Sequence, residues 1–166
     1  MSSGLGLTTM TVPALLGLEA SIVAELRRRG LVRSNNKPSC DIAEQVVLAA
    51  RGGVLEPNST KSHDITTSAG VRIQVKGMRA RTTASGKFSP FRSFDFDTAV
   101  FFVFAAGAFD LVLAREVSSA EVASMPGYSK HTNGTQPTLA QVRSAGLDVT
   151  AEMRAGYSAL DVAPAP

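Results

Sequence analysis

The stretch Lys61-Ser62-His63-Asp64-Ile65, followed by Val71-Arg72-Ile73-Gln74-Val75-Lys76-Gly77, has the clearest secondary-structure pattern of the chain. Residues 67–70, between the two runs, are of types that form turns, and the second run alternates strictly between apolar and polar residues. Successive side chains of a strand point to opposite faces, so the apolar residues are predicted to face a core. The other face carries Gln74 and Lys76, near Asp64. The stretch therefore predicts a β-hairpin with an unusual group of polar side chains.

The composition is that of a folded protein, because 44% of the 166 residues are hydrophobic and 19% are charged. This length predicts one domain with a substantial core. The formal net charge of +3 is only mildly basic. The distribution of charge is therefore more informative about nucleic-acid binding than the total.

Several features predict a protein of the cytoplasm that does not enter a membrane. The chain has a single cysteine, Cys40, which excludes an internal disulfide framework and fits a reducing compartment. The longest apolar run, residues 99–106, is much shorter than a membrane span. Residues 1–10 lack the charged segment of a secretory signal.

The sequence predicts a flexible N-terminus at residues 1–12, a single domain at residues 13–160 and a frayed tail at residues 161–166. A helix is predicted from Pro13, and its apolar stripe ends at three arginines and a glycine. The pattern predicts an α/β (α+β) fold in which a mixed sheet of four or five strands is flanked by helices.

A second helix is predicted at residues 41–51, ending at two glycines. The spacing of Asp41 and Glu44 is that of a capping box, in which each side chain bonds to a backbone amide of the first turn. Glu44 also lies beside apolar residues on this helix, so a second interpretation directs its carboxylate into a cleft. A short strand is predicted at residues 54–58.

Residues 98–106 form a nearly unbroken apolar run, which predicts a central strand buried on both faces. Its phenylalanines are interpreted as core residues and not as rings that stack on nucleic-acid bases. The predicted hairpin partner is residues 109–115. Short helices are predicted near residues 120–125 and 139–145, with another from Asp148 or Thr150 to Ala155.

The segment from residue 72 to residue 92 contains six cations and no acidic residue. These cations are Arg72, Lys76, Arg79, Arg81, Lys87 and Arg92. A cationic segment that leaves a strand suits the phosphate backbone of DNA, and each displaced counterion adds about −0.9 to the salt slope of binding. The alternative is a basic loop in contact only with solvent.

The polar residues of the hairpin suit a divalent ion that acts on a phosphodiester. Mg²⁺ prefers oxygen ligands and keeps several waters. Asp64 offers a carboxylate, Gln74 a side-chain carbonyl and Val75 a backbone carbonyl, and Glu44 would complete the set directly or through water. Lys76 is placed to orient the attacking water and to stabilise charge in the transition state.

Simpler interpretations stand beside this one. Asp64 would then cap the turn, Gln74 would be an exposed strand amide, and Lys76 a solvated charge at a strand end. The geometry of the hairpin decides between the two interpretations for all three residues together. His131 lies in a polar loop, where it would serve as a general base, a DNA contact or an ordinary surface residue. His63 is predicted to point away from the metal ligands, because it is adjacent to Asp64 on a regular strand.

Glu44 on a helix, Asp64 at the start of a hairpin and Gln74-Val75-Lys76 on its second strand resemble the PD-(D/E)XK (restriction-endonuclease-like) nuclease superfamily. The resemblance covers residues 41–116 and implies an αβββαβ core and Mg²⁺- or Mn²⁺-dependent cleavage of double-stranded DNA. Two positions depart from the family pattern: His63 replaces a proline, and Gln74 stands where an acid is usual.

The resemblance implies a bacterial or phage protein of restriction, defence or mobile-element processing, and a homodimer is compatible with it. Two other functions stay open at this point. The first is a catalytically inactive module that binds DNA through the same fold. The second is a protein-interaction domain whose basic loop meets an acidic partner.

Overall fold

The computed structural model describes residues 5–34, 37–60, 62–80 and 85–161. Its helices are a 3₁₀ turn at Leu7–Thr9, α1 at Val12–Arg28, α2 at Pro38–Arg51, α3 at Ser119–Ser124, α4 at Leu139–Ser144 and α5 at Thr150–Ala159. The predicted helices are therefore present, with ends that differ by a few residues. Within these ranges, no helix has the length and apolar composition needed to cross a bilayer.

The main sheet has six strands, so the predicted number of four or five is wrong. They are β1 at Val54–Leu55, β2 at Ile65–Thr66, β3 at Arg72–Ala80, β4 at Thr98–Ala105, β5 at Leu111–Ser118 and β8 at Leu147–Asp148. Their spatial order is β1-β2-β3-β4-β5-β8, and a separate hairpin is formed by β6 at Tyr128–Ser129 and β7 at Gly134–Thr135. The sheet is mixed and flanked by helices, as predicted. The antiparallel pairing of β2 with β3 confirms the hairpin.

Strands β3 and β4 are parallel, so the chain must cross over between them. Residues 85–97 of this connection, here called the crossover segment, contain no helix. The αβββαβ core has a helix at this place, so the prediction of that element is wrong for these residues. The segment instead buries Phe88, Phe91 and Phe96 against the sheet.

The core has two layers, one on each face of β4. On the helical face, Phe102 and Phe104 pack with α2 and α5. On the crossover face, Phe101 packs with the crossover segment, α3 and α4. Residues 99–104 have exposed fractions of 1% or less, which confirms a strand buried on both sides. Each buried phenylalanine contributes up to about 3 kcal/mol of hydrophobic free energy.

Helix α2 begins at Pro38, not at Asp41, and its N-cap is Lys37. The predicted capping box is wrong, because Asp41 is already within the helix and is buried. Its Oδ2 accepts hydrogen bonds from the backbone amides of Arg33 (2.9 Å) and Ser34 (2.8 Å). Asp41 therefore holds the backbone of residues 33 and 34 before α2, and Glu44 is left for another partner.

At the other end of α2, Arg51 joins the helix to the rest of the domain. Its guanidinium donates two hydrogen bonds of 2.8 Å to Glu116 on β5 and one of 2.9 Å to Glu152 on α5. A bidentate pair of this kind restricts orientation as well as distance. The C-terminal end of α2 is thereby held against β5 and α5.

Candidate active site

Asp64 lies directly before β2 and is bonded across the hairpin to β3. Its Oδ2 accepts hydrogen bonds from Gln74 Nε2 at 2.6 Å and from the backbone amide of Val75 at 2.7 Å. The structure therefore brings together three of the four predicted metal ligands. The amide nitrogen of Gln74 faces Asp64, so the carbonyl oxygen predicted as a metal donor is on the other arm of the amide.

Burial raises the pKa of Asp64 above its ordinary value. The hydrogen bond from Val75 and the positive charges of Lys76 and Arg33 oppose this shift, because they stabilise the carboxylate. The carboxylate is therefore poorly solvated but compensated by its neighbours. A cation would relieve the remaining cost of desolvation.

Lys76 extends from the same side of β3 as Gln74 and reaches the crossover segment. Its Nζ donates to the carbonyl oxygen of Pro90 at 3.4 Å and lies 4.8 Å from the centre of the Phe91 ring. Burial lowers the pKa of Lys76, while the charge of Asp64 raises it. A half-buried lysine with these contacts differs from a solvated charge at a strand end.

Glu44 is paired with Arg33, a residue that the sequence analysis did not single out. Arg33 Nη2 donates to Glu44 Oε2 at 2.7 Å, and Nη1 donates to the carbonyl oxygen of Glu56 at 2.6 Å. Burial raises the pKa of Glu44 to about 7 against the Arg33 hydrogen bond, and the charge of Asp64 raises it further. Glu44 and Asp64 therefore lie close enough for their charges to interact.

Because the pKa of Glu44 is about 7 in the folded protein and 4.5 ordinarily, this carboxyl binds an extra proton on folding between those values. The favourable contribution of this proton to the stability of the folded state is complete below pH 4.5, and it is lost as the pH rises to about 7. We expect the free energy of unfolding of the wild type, relative to Glu44→Gln, to fall by about 2 kcal/mol over this interval, after discounting the pKa shift for partial exposure. Urea denaturation in EDTA measures it.

The control for this experiment is Glu19→Gln, which alters an exposed acid on α1. Its unfolding free energy should run parallel to that of the wild type at every pH. A difference between the wild type and Glu44→Gln that is constant with pH would contradict the burial of Glu44.

The cations predicted to bind phosphate do not lie on one continuous track. Arg72 is paired with Asp95 (2.5 Å) and Asp97 (3.2 Å), which follow the basic segment. Arg79 lies three residues after Lys76 and so on the opposite face of β3, where its guanidinium stacks 5.0 Å from the Phe109 ring. Lys76 and Arg79 therefore face opposite sides of the sheet.

The remaining cations of the segment have different positions. Lys87 and Arg92 are exposed on the crossover segment, and Arg81 lies outside the described residues. Arg92 lines a cavity of about 480 Å³ together with Gln74, Lys76, Pro90, Phe91 and Ser93. The candidate site therefore opens towards Arg92.

His131 lies in the turn of the β6–β7 hairpin and is exposed, which agrees with its interpretation as a surface residue. This hairpin contacts the mouth of the cavity, since Arg92 Nε donates to the carbonyl oxygen of Thr132 at 3.4 Å. The sequence analysis did not predict the hairpin, because its strands have only two residues each.

His63 is used by the hairpin itself. Its Nδ1 is 2.8 Å from Ser62 Oγ, and its Nε2 is 3.1 Å from Thr66 Oγ1 and 3.5 Å from Glu56 Oε1. These bonds hold the segment that precedes Asp64. Both ring nitrogens have hydrogen-bond partners within the protein, as expected of a residue that is not a metal ligand.

The donor atoms suit an ion that keeps part of its water shell. Among the described residues there is no cluster of three or more His, Cys, Asp or Glu side chains that could enclose a metal. The two carboxylates of Glu44 and Asp64 lie close enough for their charges to interact, and Asp64 is bonded to the Gln74 side chain and to the Val75 backbone amide. Mg²⁺ is commonly held by one or two carboxylates, waters and substrate phosphates, so these residues fit Mg²⁺ better than Zn²⁺.

No protein-family model matches the chain, and no curated protein is significantly similar to it.

Proposed function

We propose that the protein is a Mg²⁺-dependent nuclease that hydrolyses phosphodiester bonds of DNA. The observation that carries the proposal is the register of the β2–β3 hairpin. That register bonds the Asp64 carboxylate to Gln74 and to the Val75 amide, while Lys76 emerges beside them at the cavity. A half-buried carboxylate beside a half-buried ammonium that lines an open cavity is typical of sites that carry out chemistry.

The ion would be held by Asp64, Glu44, the carbonyl oxygen of Gln74 and the backbone carbonyl of Val75. When bound, Mg²⁺ stabilises charge on phosphate oxygens and promotes ionisation of a coordinated water. Coordination by Gln74 requires its side-chain amide to rotate so that the oxygen replaces the nitrogen, because the nitrogen faces Asp64 in this structure. Glu44 would exchange part of its interaction with Arg33 for the ion.

Lys76 and Arg92 supply the remaining positive charge. The Lys76 ammonium is held towards the cavity by Pro90 and Phe91, where it would orient a water and stabilise charge that develops on the phosphate. Arg92 is exposed at the mouth and suits a bidentate contact with a phosphate group of the substrate. Cleavage of both strands would require two such sites, which a homodimer would provide.

The order of one helix, three antiparallel strands and a parallel fourth strand also supports the restriction-endonuclease-like core, although the crossover segment lacks that core's helix. One observation favours the alternative, a module that binds DNA without cutting it. The Asp64 carboxylate already accepts hydrogen bonds from two uncharged donors, the Gln74 amide and the Val75 backbone amide. In addition, Gln74 stands at the position where the nuclease superfamily usually has an acid. A metal-dependence experiment distinguishes the two functions.

Supercoiled plasmid should be nicked in the presence of Mg²⁺ or Mn²⁺ and left intact in EDTA. Lys76→Ala should lower the nicking rate by about 100-fold, because it removes a preorganised charge at the phosphate. Lys76→Arg should recover part of the rate. The matched control is Arg143→Ala, which removes an exposed cation from α4 and should change the rate by less than about twofold.

Equal rates for the wild type and Lys76→Ala would contradict the proposed role of Lys76. Tight DNA binding without nicking under any divalent ion would favour the binding module.

A further inference from the structure

Phe94 is the exposed member of an aromatic cluster on the crossover face. The other rings of the cluster have exposed fractions of 3% or less, and they are Phe88, Phe91, Phe96 and Phe101. Phe94 has an exposed fraction of 37%. A single exposed phenylalanine is common on protein surfaces. Phe94 is of interest because it lies beside the candidate site, where an exposed ring can contact a ligand.

The ring of Phe94 is held nearly parallel to that of Phe91. The two ring centres are 6.2 Å apart, and the planes differ by 12°. The ring of Phe91 is also the one contacted by the Lys76 ammonium. Phe94 is therefore separated from the proposed catalytic lysine by a single aromatic ring, and its position is set by contacts with both Phe91 and Phe96.

One exposed cation near Phe94 in the chain can contact a phosphate group of a ligand. Arg92 precedes Phe94 by two residues, is exposed and lines the cavity with Lys76. The neighbouring acids Asp95 and Asp97 are both paired with Arg72, whose single charge offsets one of theirs. A planar group attached to a phosphate would find an aromatic ring and a cation two residues apart in the crossover segment.

We propose that Phe94 stacks on an unpaired base of the nucleic acid while Arg92 contacts the neighbouring phosphate. The inference rests on the proposed function, because that function supplies the class of ligand. In an intact duplex each base is covered by its neighbours, so a side chain stacks only on a base that has left the helix. The substrate class is therefore nucleic acid with a single-stranded segment next to the scissile bond.

The chain contains no tryptophan, so Phe94→Trp places a unique fluorophore at the proposed stacking position. In EDTA, where nothing is cleaved, an oligothymidylate of about 12 residues should quench this fluorescence in a saturable manner. The control is Leu16→Trp, which places an exposed tryptophan on α1 and should not be quenched. Thermal melting checks that both variants fold.

Phe94→Ala provides a second measurement. It should weaken binding of the oligothymidylate by about 5- to 150-fold, the effect of losing one stacked base. Its affinity for relaxed closed-circular duplex DNA should change by less than about twofold, because duplex binding is dominated by phosphate contacts.

Absence of quenching at saturating oligothymidylate would overturn the inference, as would an equal loss of affinity for single-stranded and duplex DNA. These outcomes are separable from failure of the proposed function. Quenching without any nicking of DNA would leave the stacking site in place and remove the nuclease. Nicking without quenching would leave the nuclease in place and remove the stacking site.

Discussion

Asp64→Asn is expected to lower the rate of plasmid nicking by at least about 100-fold, an effect typical of losing a preorganised electrostatic group. Asparagine keeps one side-chain oxygen, which can still accept the hydrogen bonds from Gln74 and Val75. The hairpin should therefore keep its register while the charge that attracts the ion is lost. Comparison of initial rates at saturating Mg²⁺ measures the effect.

The matched control is Asp95→Asn, which neutralises an exposed aspartate of the crossover segment that is paired with Arg72. Its nicking rate should stay within about threefold of the wild type, as expected for a surface ion pair. Thermal melting with Mn²⁺ gives a readout independent of cleavage. The wild type should melt at a higher temperature with the ion, and Asp64→Asn should not. An unchanged nicking rate in Asp64→Asn would exclude Asp64 as an essential ligand.

Phe102→Ala should destabilise the fold by about 3–5 kcal/mol, the usual cost of removing a fully buried aromatic ring. Phe102 is completely buried on the helical face of β4 and packs near Phe104 at a ring-centre distance of 5.9 Å. The cavity left behind can close only if α2 or α5 moves. Because the net stability of a domain is only about 5–15 kcal/mol, this loss is a large part of the total. Urea denaturation measures it.

Phe94→Ala is the matched control, since it removes the same ring from an exposed position. Its unfolding free energy should change by less than about 1 kcal/mol. A similar loss in both variants would mean that Phe94 is a structural member of the core. That result would also remove the physical basis for treating it as a surface for base stacking.

Local pattern was sufficient for some elements and insufficient for others. The β2–β3 hairpin and the buried strand β4 were predicted because alternation and apolar runs are local properties of the chain. Strand β8 has two residues, too few to produce a period. Strand β1 is also only two residues long, but it lies at the start of the short strand predicted at residues 54–58. The capping box at Asp41 failed because the carboxylate is bonded to Arg33 and Ser34, upstream of the helix and outside the local pattern.

The directions in which two cations of the basic segment point could have been predicted from the sequence. Lys76 and Arg79 are three positions apart on one strand, so they must face opposite sides of the sheet. The ion pairs of Arg72 with Asp95 and Asp97 could not have been predicted from the sequence. They depend on the crossover segment returning to the start of β3, which no local pattern encodes.

The sequence by itself determined the hairpin, the central strand and the proximity of Asp64 to Gln74 and Val75, because two antiparallel runs joined by a short turn have few possible registers. Only the tertiary structure decided that Glu44 is paired with Arg33 and that Lys76 is desolvated by the crossover segment. Desolvation and ion pairing depend on chain segments far apart in sequence. Those contacts set the electrostatics of the candidate site around the β2–β3 hairpin.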